Sequence, residues 1–216
     1  MPSKWDQQLI VIGPRNPVPE GFSFVDTTSK AGWSSGLSPF KIGPCPLYDG
    51  RESQNMEAGW QFAKLYREFA DDHGQPLPSY WAWAEAGWAR KEWPKPMELR
   101  YPAGKGRKPL CSLWHGGHLG YVDARKVIYG PLYRDAVQVT DAYETLKVRY
   151  QAGERLALWD YDGYPESDLA KVLHDPKKKM GHAFVLAMML QWGEDIDFLH
   201  DDHLRAPEPE KDLFSL

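Results

Sequence analysis

Cysteine is scarce in this chain: Cys45 and Cys111 are the only two. Two cysteines make no disulfide framework, and nothing requires them to pair. Long apolar runs are lacking too. The longest, residues 183–190, has the length of a core helix segment rather than a membrane span. No secretory start is visible. These absences give the expectation of a cytoplasmic protein with no membrane partner. Several catalytic signatures are also missing. There is no Gly-x-Ser-x-Gly elbow for a serine nucleophile, and no Gly-x-Gly-x-x-Gly after a strand, which disfavours a Rossmann oxidoreductase. Cys111-x-x-x-His115-Gly-Gly-His118 lacks the paired spacing and compact fourth ligand of a zinc site, which leaves His115 and His118 as loop residues. The pair His200-Asp-Asp-His203 is weak metal bait. No cofactor and no metal are expected, and no internal repeat or low-complexity block interrupts the chain.

What is present is ordinary in amount and uneven in placement. The 216 residues are 42% hydrophobic, enough for one substantial core. The formal net charge of −4 is concentrated at one end. Residues 193–216 hold eight acids and two bases, a charge of −6, which leaves +2 for the rest. A mildly basic body with an acidic tail is not the footprint of a strong duplex-DNA binder, although it allows a nucleotide ligand. The expected division is a domain over 1–192 and an acidic peripheral tail over 193–216. Aromatics reach 13%, with 10 Trp and 11 Tyr. They serve core packing in the ordinary case, and a base-stacking cleft would use the same residues.

Along the chain, residues 9–12 and 22–25 read as short strands split by a Pro/Gly-rich run. Residues 29–55 read as a long loop, and its aromatics point to a functional one. A helix is expected over 56–73 and another over 80–91, stopped by Pro94 and Pro96. Residues 100–109 form a basic Gly/Pro loop. It reads first as solvated surface and second as a phosphate contact through Lys105, Arg107 and Lys108. Residues 124–129 read as a strand or a helix start, 133–152 as a long helix, and 156–161 as a short apolar segment entering an acidic turn. Residues 180–192 are apolar almost all round and should form the most buried helix.

The densest chemical signal is Glu57, Gln61 and Lys64. At i, i+4 and i+7 they stand in one row of a helix. Ala58, Phe62, Leu65 and Phe69 form a second row roughly 100° away, able to pack while the first faces a cleft. The plain alternative is a surface helix with a Glu–Lys pair. Trp60 beside the polar row, and the Gly-containing loop before it, raise the functional reading.

Ser38-Pro39-Phe40, the loop dipeptide Asp49-Gly50 and the run Glu57-x-x-Trp60-Gln61-x-x-Lys64-Leu65 resemble the NADAR (YbiA-like) family of N-glycosidases. In that family a Ser-x-Phe segment and an Asp-Gly loop precede a helix reading Glu-x-x-[Phe/Trp]-Gln-x-x-Lys-[Phe/Leu]. The chain departs from the pattern at Met56 and Ala58, where the family usually has Ser and His. Gly181-His182 and the apolar helix after it match the family's last element more loosely. The resemblance implies a mainly α (α+β) fold, a single helical domain of YbiA-like type with short N-terminal β elements and long loops. It also implies an N-glycosidase acting on a ribosyl N-glycoside that carries phosphate, such as an ADP-ribosyl adduct or a ribosylated intermediate.

The chemistry needs few groups. A carboxylate stabilises the oxocarbenium-like transition state and can deprotonate the attacking water. Glu57 suits that task, with an aromatic wall to raise its pKa. Gln61 can orient water or ribose hydroxyls, and Lys64 can hold phosphate or keep Glu57 ionised. The resemblance implies an acidic partner from the later region, with Asp160 and Asp162 equally eligible. Asp160-Tyr-Asp162-Gly163 also reads as a plain turn, or in third place as a magnesium site. Lys178 and Lys179, ahead of an apolar helix, can hold a pyrophosphate at its N-terminus, and His182 can touch the ligand or cap the turn. Their plain reading is a solvated basic run. Trp33 or Trp60 is expected to stack on the base, with Ser38, Phe40 and Asp49 in the same binding set. The expected partner is a nucleotide-like small molecule or an ADP-ribosylated or modified nucleic acid. Three rivals remain: a glycosylase that excises a modified base from DNA, a non-catalytic ADP-ribose or nucleotide-binding module, and a structural role in which the Trp-rich surface is a protein–protein interface.

Overall fold

The computed structural model describes residues 8–199. Its strands are β1 (Leu9–Ile12), β2 (Ser23–Asp26), β3 (Cys45–Pro46), β4 (Glu52–Ser53), β5 (Lys64–Leu65), β6 (Cys111–Trp114), β7 (Gly117–Leu119) and β8 (Leu156–Trp159). Its helices are α1 (Met56–Phe62), α2 (Pro78–Ala89), α3 (Pro96–Arg100), α4 (Tyr121–Ala124), α5 (Gly130–Val137), α6 (Asp141–Gln151), α7 (Leu169–His174) and α8 (His182–Trp192). The fold is α+β. Among the described residues no helix is long and apolar enough to cross a membrane.

One sheet is small and entirely parallel. β8 lies at its centre with β1 and β2 on either side, Leu9 and Ser23 both aligned with Leu156. Parallel strands covered on both faces read as unbroken apolar runs rather than alternation. That explains Leu-Ile-Val-Ile in β1, buried throughout, and Leu-Ala-Leu in β8. α8 packs on β1 and β8. Eight of its eleven residues are buried, in keeping with its nearly uniform apolar surface.

α1 is wedged between two apolar clusters. Met56, Trp60 and Ala63 belong to the main core with α5, α8 and the parallel sheet. Ala58, Phe62 and Leu65 belong to a second, tryptophan-rich core with Tyr80, Ala84 and Trp88 of α2, and Phe69 packs against it. The expected apolar row therefore forms, but on a broken scaffold. Helical structure ends at Phe62, because the chain turns into β5. Lys64 pairs with Ser112, Leu113 N–H donates to the Ala63 carbonyl at 2.8 Å, and Leu110 N–H donates to the Leu65 carbonyl at 2.8 Å. Pairing with a strand some 50 residues away overrides the helical propensity expected to carry on to 73. Residues 67–69 form only a 3-10 turn.

The tryptophans of α2 have a packing role. Trp83 stacks on Phe69 with centroids 4.8 Å apart and tilts against Phe62 at 4.6 Å. Gly87 lets the Phe62 ring lie on the helix: a Cβ there would come within 2.2 Å of that ring. The expected helix over 133–152 is two helices, separated where the Thr140 hydroxyl caps α6 by accepting from Tyr143 N–H at 3.1 Å. Residues 124–129 are helical, with Arg125–Tyr129 forming a π-helical turn that joins α4 to α5. The long loop 29–55 contains a 3-10 turn at Trp33–Leu37 and the β3–β4 hairpin. The body also extends past 192. Ile196 and Phe198 are buried in the main core, because the close approach of Gly130 leaves room for the Phe198 ring. The remainder of the acidic tail, including His200 and His203, lies outside the described residues.

Candidate functional site

The first turn of α1 is fixed before any side chain acts. The Asn55 side chain accepts from Ala58 N–H at 2.8 Å. The Pro39 carbonyl accepts from Glu57 N–H, and the Ile42 carbonyl from Met56 N–H, both at 3.0 Å. The segment Ser38-Pro39-Phe40 thus holds the helix start. Ser38 is buried and its hydroxyl accepts from Phe40 N–H at 3.4 Å, while Phe40 packs on the second core.

From that start a polar chain runs outward. Gln61 Nε2 donates to Glu57 Oε1 at 2.8 Å, and Lys64 Nζ donates to Gln61 Oε1 at 2.5 Å. The expected row survives the helix break because β5 begins just past the last helical turn. Glu57 and Gln61 are each only 7% exposed, whereas Lys64 is half-buried. The Lys64 ammonium lies 4.6 Å from the centre of the Trp60 ring. Trp60 itself is buried, edge-on to Tyr129 at 5.1 Å. It is a wall under the lysine and part of the core, which does not leave its ring face open for stacking a base.

Burial pushes the Glu57 carboxyl above the usual carboxylate range. The Gln61 hydrogen bond and the charges of Lys64, Arg100 and His182 pull it back without cancelling the shift. Burial also pushes the Lys64 ammonium down to about 8, opposed by Glu57 and reinforced by Lys179 and Arg100. Both groups therefore stand nearer neutrality than free side chains do.

Asp160 and Asp162 have different tasks. Asp160 is buried behind the sheet end, where its Oδ2 faces His182 Nδ1 at 3.1 Å. The other ring nitrogen of His182 meets the Thr27 carbonyl at 2.9 Å. Asp160 also accepts from Asp162 N–H at 3.2 Å and from Ala183 N–H at 3.5 Å. Burial works to raise its pKa, but His182 and these N–H groups outweigh it and hold the carboxyl down at about 2. For His182, burial works to lower the pKa, and Asp160 reverses the sign and raises it. The first turn of α8 is thus occupied by the protein's own carboxylate. A pyrophosphate does not fit there: even a Cβ at Gly181 would come within 2.0 Å of Asp160 Oδ2. His182 ties that junction to Asp160 and to the Thr27 carbonyl from within the core.

Asp162 faces the other way. Its Oδ2 is 2.6 Å from Arg100 Nη2, and its Oδ1 is 3.5 Å from Lys179 Nζ. Asp162 and Arg100 are about a quarter exposed and Lys179 is 60% exposed, so this end of the cluster meets solvent. The structure therefore brings together Glu57, Gln61, Lys64, Asp160, Asp162, Lys179 and His182. Tyr129 is within electrostatic reach of both Asp160 and Glu57, and burial followed by these charges raises its phenol well above the ordinary value.

Three candidates make their described contacts elsewhere. Trp33 is exposed beneath Arg149, whose guanidinium lies 5.3 Å from the ring centre. Asp49 and Gly50 both have positive φ, 53° and 72°, and form the β3–β4 turn. Asp49 is exposed and pairs with Arg51 at 3.2 Å. Lys178 lies over the Tyr164 ring at 4.5 Å, and its carbonyl accepts from Arg125.

Arg100 is the functional candidate that sequence reasoning missed. It ends the short helix α3 and is the first residue of the basic stretch 100–109, in which Lys105, Arg107 and Lys108 are the candidate phosphate contacts, yet Arg107 turns away to Glu68 at 2.6 Å. No local spacing marks Arg100, and only the fold brings it to Asp162. The zinc reading of residues 111–118 gains nothing. His115 has φ 47° in the β6–β7 turn, His118 contacts the Gly74 carbonyl, and no group of three metal-ligating side chains forms among the described residues. A concavity of about 470 Å³ lies apart from Glu57, between α6 and the end of α8, lined by Tyr143, Lys147, Tyr150, Met189 and Glu194. Lys147 is already paired there with Glu144 and Glu194.

No protein-family model matches the chain, and neither the curated proteins nor the solved structures give a match.

Proposed function

We propose that this chain is an N-glycosidase of the NADAR (YbiA-like) type, with a YbiA-like fold. It hydrolyses the bond between a base or base-like nitrogen and a phosphorylated ribose. The observation that carries the reading is Glu57: a buried carboxyl whose pKa burial has raised, in line with Gln61 and Lys64. A carboxyl shifted toward neutrality suits a general base at near-neutral pH. In the reaction, water attacks the anomeric carbon while its proton passes to Glu57. The C–N bond breaks, its electron pair goes to the leaving nitrogen, and that nitrogen takes up a proton from solvent water. Lys64 and Arg100 supply positive charge for the phosphate end. The reading places the protein in the cytoplasm, in keeping with its two free thiols, Cys45 and Cys111.

The deep burial of Glu57 behind Gln61 favours one second reading, a binding module for ADP-ribose or a nucleotide in which Glu57 only orders α1. Chromatography of base release separates the two. The panel is NAD, ADP-ribosylated guanine in DNA, ribosylaminopyrimidine phosphates and modified-base DNA, with wild type and Glu57→Gln side by side. Release by wild type, reduced about 100-fold or more in the variant, supports the glycosidase. Equal tight binding by both proteins with no release from any substrate establishes the binding module. Release confined to modified-base DNA, with steep salt dependence, moves the assignment to a DNA glycosylase.

A further inference from the structure

Asp162 is a carboxylate at the open end of the cluster, and cations converge on it from three separate parts of the chain. Arg100 arrives from the end of α3, and Lys179 from the loop before α8. Lys64 arrives from β5 and lies within electrostatic reach of Asp162, Arg100 and Lys179. The ammonium of Lys64 donates to a neutral amide oxygen and rests on an indole ring. Arg100 and Lys179 thus contact the Asp162 carboxylate directly, Lys64 is shared between Asp162 and Glu57, and the contacts to Asp162 lie where the cluster meets solvent. An arginine fork with two flanking ammonium groups matches a tetrahedral oxyanion better than it matches a single carboxylate.

We propose that Asp162 is an internal stand-in for phosphate, and that Lys64, Arg100 and Lys179 form a subsite for the phosphate or diphosphate group of the ligand. The incoming anion displaces the Asp162 carboxylate from Arg100 and Lys179, and Asp162 swings toward solvent. Asp162 is then a positioning and gating residue rather than the second acid/base. Its backbone N–H stays on Asp160, which keeps the turn in place while the side chain moves. The assignment rests on the N-glycosidase reading for the identity of the ligand, not for anion binding. A competitor inside the site lowers apparent affinity by the fraction of time it occupies the cations, so removing it strengthens binding.

The test is calorimetric titration of the full chain with inorganic pyrophosphate at low salt. Asp162→Asn is expected to bind about 3- to 10-fold more tightly than wild type. Arg100→Gln is expected to bind about 10-fold more weakly or worse. Lys179→Met, at a position 60% exposed and safe for folding, is expected to lose a few-fold. Circular dichroism reports whether each variant is folded, and Lys179→Met keeps the test decisive if Asp162→Asn is not. Equal pyrophosphate affinity in wild type, Arg100→Gln and Lys179→Met overturns the subsite. Weaker binding by a folded Asp162→Asn overturns the stand-in role. Pyrophosphate binding with the expected variant pattern but no base release defeats the glycosidase alone. Base release without that pattern defeats the subsite alone.

Discussion

Glu57 and Asp160 are both buried carboxylates, 7% and 5% exposed, yet burial has opposite outcomes for them. Asp160 receives a histidine and two backbone N–H groups, so its charge is compensated and its pKa falls to about 2. Glu57 receives one hydrogen bond from a neutral amide, and Lys64 donates to that amide rather than to the carboxyl itself, so desolvation wins and its pKa rises. A compensated buried charge fastens parts of the fold together. An under-compensated one stores a proton affinity that chemistry can use. The contrast assigns Asp160 and His182 to holding α8 against the sheet, and suits Glu57 to the proposed reaction.

The comparison can be broken by removing each charge in turn. Asp160→Asn leaves His182 and the start of α8 without their counter-charge and should cost about 3–5 kcal/mol, read as a large drop in Tm and in urea midpoint. A smaller effect comes from acid. The folded pKa of Asp160 lies below the unfolded value, so its contribution is fully present above about pH 4 and is lost as pH falls toward 2. That loss should be about 2 kcal/mol by denaturant titration and absent in Asp160→Asn. His182 behaves in the opposite sense. Its folded pKa is raised, so its contribution is present below pH ~6.5 and disappears as pH rises through the folded value.

Glu57 should give a gain rather than a loss. Its raised pKa means the folded state resists ionisation, so wild type loses stability as pH rises above the unfolded value of about 4.5. Glu57→Gln should match wild type near pH 4 and become the more stable protein by pH 8, a stability–activity exchange visible in paired melting curves. If the variant is less stable at every pH, Glu57 is a structural residue like Asp160 and the contrast collapses. The smallest effect is expected at Asp49. Asn accepts the same positive φ, so Asp49→Asn should change stability by under about 0.5 kcal/mol and leave base release unchanged.

Much of the scaffold was legible because it depends on local pattern. The continuous apolar runs of β1, β8 and α8 announced burial on every side, and the structure buries them. The row Ala58, Phe62 and Leu65 announced a packing face, and those residues enter one core together. The Glu57–Gln61–Lys64 row was legible for the same reason. The helix expected to run on to 73 was not, because its end is set by hydrogen bonds from β6. Nor was the separation of Asp160 from Asp162: two residues in one turn face a buried histidine and a partly exposed arginine respectively.

The sequence by itself determined which stretches must be buried and that a carboxylate, an amide and an ammonium share one side of a helix start, since these follow from side-chain polarity and the pitch of the backbone. Only the tertiary structure decided the charge state and task of each acidic group. A pKa depends on the solvent removed and the charges brought near: for Glu57 burial is set against Lys64, Arg100 and His182, for Asp160 burial is set against His182, while the task of Asp162 follows from its contacts with Arg100 and Lys179. These partners are distant in sequence and adjacent only once the chain has folded.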